Sequence, residues 1–116
     1  MEPFTDTLPD GMPEAAALIA ELRAADPADR AAIIARYPVL ELLAPAPVLA
    51  DWLGMRVRSI WVARGRTRPD GSKEWPDEDD TLLGRSVWRF STIALHRATT
   101  PGRGWNLRAE IKEGAK

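Results

Sequence analysis

The 116 residues predict a mainly α fold built on a helix-turn-helix, with a small β-hairpin behind it and a helical hairpin in front. Three observations carry this. Leu49-Ala50-x-x-Leu53-Gly54-Met55-x-x-x-x-Ile60 has the spacing of a tight two-helix corner. Ala50 is the small contact, Gly54 the bend that accepts positive φ, and Leu49, Leu53, Met55 and Ile60 lock both helices to one core. Upstream, the Ala-rich run from Ala15 to Ala25 is helix-prone, and Asp26-Pro27 repeats a helix-start signal. Downstream, Thr81 to Arg89 alternates around a glycine, as a short hairpin does.

Size and composition set the frame. The chain is long enough for one core and short for two. With 45% apolar and 28% charged residues it is globular in composition, and it contains no cysteine, which excludes disulfides, thiolate zinc sites and cysteine nucleophiles. No apolar run approaches the roughly 20 residues that span a bilayer. The start, Met1-Glu2-Pro3-Phe4-Thr5-Asp6, is acidic where a signal peptide is basic, so a cytoplasmic location is expected. The net charge of −1 hides an asymmetry: residues 1–50 carry eight acids against Arg23, Arg30 and Arg36, whereas residues 51–116 carry thirteen bases against nine acids. Within the basic half, Arg56, Arg58, Arg64, Arg66 and Arg68 occur without an intervening carboxylate. A stripe of that density repels itself unless an anion neutralises it.

Taken in order, residues 1–11 are punctuated by Pro and Gly and read as mobile. Pro13 suits the first turn of a helix through Ala25, with Leu18, Ile19 and Leu22 on one face. Asp26 as N-cap and Pro27 as first residue predict a second helix to about Tyr37, burying Ile33, Ile34 and Tyr37. Val39 to Leu43 reads as a further helical turn before Pro45 and Pro47 interrupt it. The first helix of the corner runs from Pro47 to Leu53, and the second from about Arg56 to Arg64, ended by Gly65. In residues 66–73, Pro69-Asp70-Gly71 is a turn signal between two short arms, giving a hairpin with a basic tip. Asp77-Glu78-Asp79-Asp80 precedes the hairpin Thr81 to Arg89, turning at Gly84-Arg85. Ser91 is placed as the cap of a last helix through Ala98, with Ile93 and Leu95 in the core. The chain therefore divides into an acidic helical extension (1–44), a domain holding the corner and hairpin (45–98), and a tail (99–116).

Residues 47–98 resemble the winged helix-turn-helix of excisionase and MerR-type DNA-binding domains, common in phage and mobile-element regulators. The resemblance rests on Val48-Leu49-Ala50-Asp51-Trp52-Leu53-Gly54-Met55, the following helix with Trp61, Gly65, Trp75-Pro76, and Leu83-Gly84-Arg85-Ser86-Val87-Trp88-Arg89-Phe90-Ser91-Thr92-Ile93. It implies that the last block forms the wing and opens the helix behind it. The segment 66–80 is longer than the family pattern, and residues 1–44 have no counterpart in it.

Residue chemistry and resemblance imply the same partner, double-stranded DNA. An α-helix fits the major groove, and its first turns come closest to base edges. Arg56 and Arg58 are then the candidates for bidentate contacts to guanine, with Ser59 beside them and Trp61 one turn on from Arg58. Arg64, Arg66, Arg68 and Lys73 suit phosphates, and Arg85 and Arg89 on the wing reach the adjacent backbone or minor groove. Neutralising roughly five phosphates gives a log–log salt slope of about −4.5, so doubling the salt weakens binding on the order of 20-fold. The expected function is that of a sequence-specific transcriptional regulator, a phage or mobile-element repressor. An excisionase that bends DNA, and an interaction module whose basic face or acidic N-terminal half docks a protein partner, are the alternatives.

The remaining candidates read as structural. Trp52, Trp88 and Trp105 are expected to pack, while Trp61 and Trp75 stand between core and interface. The acidic run lacks the alternation and glycine turn of a calcium loop, and reads as a solvated loop that repels DNA or holds the arginines in register. His96 has no serine or cysteine partner, and there is no phosphate-binding glycine loop or paired zinc-ligand motif, so no catalysis, cofactor or metal is expected. Leu18, Ile19, Leu22, Ile33 and Ile34 form either a homodimer surface or a cover for the domain's own core.

Overall fold

The structure, a computed structural model, describes residues 4–99. Helix α1 (Ala15–Ala24) and helix α2 (Pro27–Ala35) lead into a 3-10 turn (Pro38–Glu41) and strand β1 (Leu43–Pro45). Helices α3 (Ala46–Leu53) and α4 (Val57–Arg64) follow, then β2 (Asp80–Leu82), β3 (Arg85–Arg89) and α5 (Phe90–Thr99). Among the described residues none of these helices is long and apolar enough to cross a membrane. The fold is thus mainly α with a three-stranded antiparallel sheet, in the order β1-β3-β2.

The corner forms as its spacing dictates. Gly54 adopts φ +71°, and Met55 N–H donates to Ala50 O (2.9 Å) while Gly54 N–H donates to Asp51 O (3.3 Å), the paired bonds of a Schellman motif. A Cβ at Gly54 would meet nothing within 4 Å, so glycine is required by dihedral angle and not by space. Leu49, Ala50 and Ile60 are buried, and Leu53 and Met55 pack partly buried against them. Gly65 ends α4 differently from expectation: its φ is −85°, so the helix closes without a left-handed residue.

Upstream, the helices form but do not pair as a hairpin. The extensive contact of α1 is with α5, while α2 packs against the 3-10 turn. Leu18, Ile19, Leu22, Ile33 and Ile34 are all buried within the chain, so they cover its own core. Tyr37 is only half-buried. Asp26 occupies the N-cap position, yet its carboxylate makes no capping bond. Pro13 lies ahead of α1, where its carbonyl accepts a 2.9 Å hydrogen bond from Trp52 Nε1, tying the chain's start to α3. Phe4 and Thr5, within the stretch expected to be mobile, run beside β1, with Thr5 N–H donating to Leu43 O at 2.9 Å.

Strand β1 was not expected. It pairs with β3 through Leu43↔Arg89, Ala44↔Trp88 and Pro45↔Val87. The β2–β3 turn falls at Leu83-Gly84, one residue earlier than Gly84-Arg85, and both residues take positive φ (+53° and +78°). Ser91 is not a cap: α5 starts at Phe90 directly out of β3, and Ser91 is buried inside the first turn. Ile93 is fully buried and Leu95 partly so. Trp52 packs edge-on against Phe90 (5.2 Å) and Trp75 edge-on against Trp88 (6.0 Å), which assigns Trp75 to the core. Trp105, with the rest of the tail beyond Thr99, lies outside the described residues.

Candidate nucleic-acid interface

Because Gly54 turns the chain and α4 buries only Ile60 fully and Ala63 partly, most of α4 faces outward. Arg56 holds the N-cap position with its side chain uncommitted, and its carbonyl accepts from Ser59 N–H (2.9 Å). Arg56, Arg58 and Ser59 are exposed, as are Val57, Trp61 (47%) and Val62 (45%). Arg56 and Arg58 have no ion pair or side-chain hydrogen bond among the described residues. Two unneutralised guanidinium groups therefore stand on the opening turn of an outward helix. Trp61 bridges two roles, since its ring lies 6.5 Å from Trp88 on the sheet while nearly half of it remains in solvent.

The other predicted cations are engaged. Arg64 Nη2 donates to Glu78 Oε1 at 2.8 Å, and its guanidinium carbon lies 5.9 Å from the Trp61 ring centroid. Lys73 Nζ donates to Asp77 Oδ1 at 2.6 Å, and Arg89 approaches Asp79 (3.5 Å) and Glu41 (3.7 Å). Arg85 approaches Asp6 at 3.6 Å. These hydrogen bonds from Lys73 and Arg64 hold the Asp77 and Glu78 carboxyls below their ordinary range. The acidic run thus splays its first three carboxylates onto three different cations, the arrangement that keeps like charges in register.

Segment 66–73 folds as its turn chemistry predicts. Thr67 pairs with Lys73, and Gly71 N–H donates to Arg68 O (2.8 Å) with Gly71 at φ +91°. Asp70 Oδ1 accepts from Ser72 N–H and Oγ, fixing the tip. The tip itself is not basic: Arg68 folds back, Nη1 donating to Lys73 O at 2.7 Å, whereas Arg66 is exposed. Behind this segment, His96 Nε2 lies 3.1 Å from the same carbonyl, and burial pushes its pKa down. A carbonyl only accepts, so Nε2 carries a proton in this contact. His96 is thereby a strut between α5 and the 66–73 arm.

The chain matches no family model, no curated protein and no solved structure. Its chemistry must be argued from the arrangement itself. Sequence reasoning grouped ten polar and aromatic residues as one surface. The structure divides them into the open set of Arg56, Arg58, Ser59, Trp61 and Arg66, and the set engaged within the chain, Arg64, Arg68, Lys73, Arg85 and Arg89. Sequence reasoning missed Leu83, the most exposed large apolar side chain among the described residues at 99%. No local signal marked it, because a two-residue turn favours asparagine or glycine and leucine argues against one at Leu83-Gly84.

Proposed function

We propose that the chain is a winged helix-turn-helix protein that binds duplex DNA as a transcriptional regulator, of the repressor kind found in phages and mobile elements. The element order β1-α3-α4-β2-β3-α5 supports a recognition helix followed by a wing, in keeping with the resemblance to excisionase and MerR-type domains. Helix α4 would enter the major groove with Arg56 and Arg58 at base edges, and Trp61, Val57 and Val62 against thymine methyl groups. Arg66 and the paired cations would take phosphates, exchanging carboxylate for phosphate oxygen. Occupying an operator blocks polymerase without any active site.

The observation that carries this reading is the pair of unneutralised arginines on the first turn of an outward helix. Gel-shift titration with random-sequence duplex DNA at two salt concentrations tests it. Binding that weakens steeply with salt, and that weakens further in Arg56→Ala/Arg58→Ala by on the order of 10-fold or more, is expected. Unchanged affinity in that double variant overturns it.

A protein-docking role is favoured by one observation, the exposure of Val57, Trp61 and Val62 beside Arg58, since aromatic and arginine side chains dominate interface hot spots. Absent or salt-insensitive DNA binding is the result that selects it.

A further inference from the structure

We propose that Leu83 is an apolar wedge that the wing inserts between base pairs in the minor groove of duplex DNA, unstacking one step and bending the helix. The inference deepens the DNA-binding reading and rests on it. Leu83 sits at the tip of the β2–β3 hairpin with φ +53°, in a turn whose second residue, Gly84, has φ +78°. A two-residue turn with both dihedrals positive favours Asn-Gly, and a leucine is strained there. Its side chain returns nothing to the fold, being 99% exposed. The residue thus serves neither the turn nor the core, and a large apolar group held out in solvent at the tip of a paired hairpin is what a wedge requires.

Placement fits the same partner. Trp61 of α4 lies 6.5 Å from Trp88 of β3, so helix and hairpin are joined at that point. From Trp88 the hairpin extends about 15 Å to its tip at roughly 3.4 Å per residue. Adjacent major and minor grooves are separated by about half of a 34 Å helical turn, a comparable reach. Arg85, directly after the turn and half exposed, supplies the positive charge that a phosphate flanking the insertion would meet.

Leu83→Asn separates wedge from fold, because asparagine suits the turn. With the full-length chain, random-sequence duplex DNA and closed circular plasmid, three measurements decide. Leu83→Asn is expected to match or exceed the wild-type melting temperature and to lose affinity on the order of 10-fold. It is also expected to abolish the change in plasmid linking number that the wild type produces under topoisomerase relaxation, and Leu83→Met to restore it. If the wild type binds duplex DNA and Leu83→Asn binds and unwinds it equally, the wedge falls while the DNA-binding reading stands. If the wild type does not bind duplex DNA, both fall.

Discussion

Arg64 donates a 2.8 Å hydrogen bond to Glu78 from the end of α4, across the loop that joins that helix to the sheet. Under the proposed function, a phosphate oxygen would have to take the place of that carboxylate. Lys73 with Asp77, and Arg89 with Asp79, repeat the arrangement. In the proposed DNA-binding mode the acidic run would compete with phosphates for these cations, while Arg56 and Arg58 remain open.

Glu78→Gln should release Arg64 from that competition. Duplex affinity is expected to rise several-fold, and the log–log salt slope to steepen by about 0.9, one phosphate's worth. Binding titrations over a salt series check both. The melting temperature should scarcely move, because an exposed pair contributes little to folding.

Gly54→Ala should cost about 1–2 kcal/mol, because the left-handed dihedral penalises a Cβ even though no atom lies near it. Gly54→Asn should cost less, since asparagine tolerates that region. Chemical denaturation of both variants gives the comparison; equal losses would point to a steric cause instead.

Trp75 and Trp88 should respond unequally to removal of their ring N–H. Trp75 Nε1 is buried with no hydrogen-bond partner among the described residues, whereas Trp88 Nε1 donates to Pro76 O at 3.0 Å. Trp75→Phe sheds an unpaired donor along with some packing area, and is expected to be the milder change. Trp88→Phe removes a made hydrogen bond to the part-buried Pro76 carbonyl as well, adding about 1 kcal/mol. Equilibrium unfolding of the two variants tests the order.

Stability should fall on acidification mainly through His96. His96 has its folded pKa lowered by burial, so the folded state resists the proton that the unfolded chain accepts near pH 6.5. Stability is full above that value and declines as the pH drops below it. Asp77 and Glu78 have lowered folded pKa values, so their contribution is present above the unfolded carboxylate range of about 4 and is lost as the pH falls further, through their folded values. Unfolding curves against pH should show the limb below about pH 6.5 clearly and only a slight further decline from the exposed carboxylates, and His96→Gln should flatten the first.

The parts of the fold that were legible in the sequence are those governed by local rules. Gly54 with its flanking apolar residues announces a corner, Pro69-Asp70-Gly71 a turn, and Asp26-Pro27 a helix start. Strand β1 was hidden because its three residues, Leu43-Ala44-Pro45, are ordered by pairing with β3 some forty positions away, and local propensity carries no trace of that. The turn at Leu83-Gly84 was displaced by one because leucine argues against positive φ, a local rule the chain breaks. Periodicity marked Leu18, Ile19 and Leu22 as an inward face without saying what that face meets, which is α5. Likewise the arginine stripe was legible as charge. Which carboxylate answers each cation depends on how segment 66–80 returns across α4, and no spacing encodes that.

The seating of α1 on α5 has a practical corollary. The segment from β1 to α5 holds every arginine of the proposed interface, yet its flank is roofed by Leu18, Ile19 and Leu22, and its Trp52 indole is anchored to Pro13. Excised by itself, that segment would carry a greasy seam with nothing over it. Grafting the recognition helix into another protein would mean bringing its acidic forepart along.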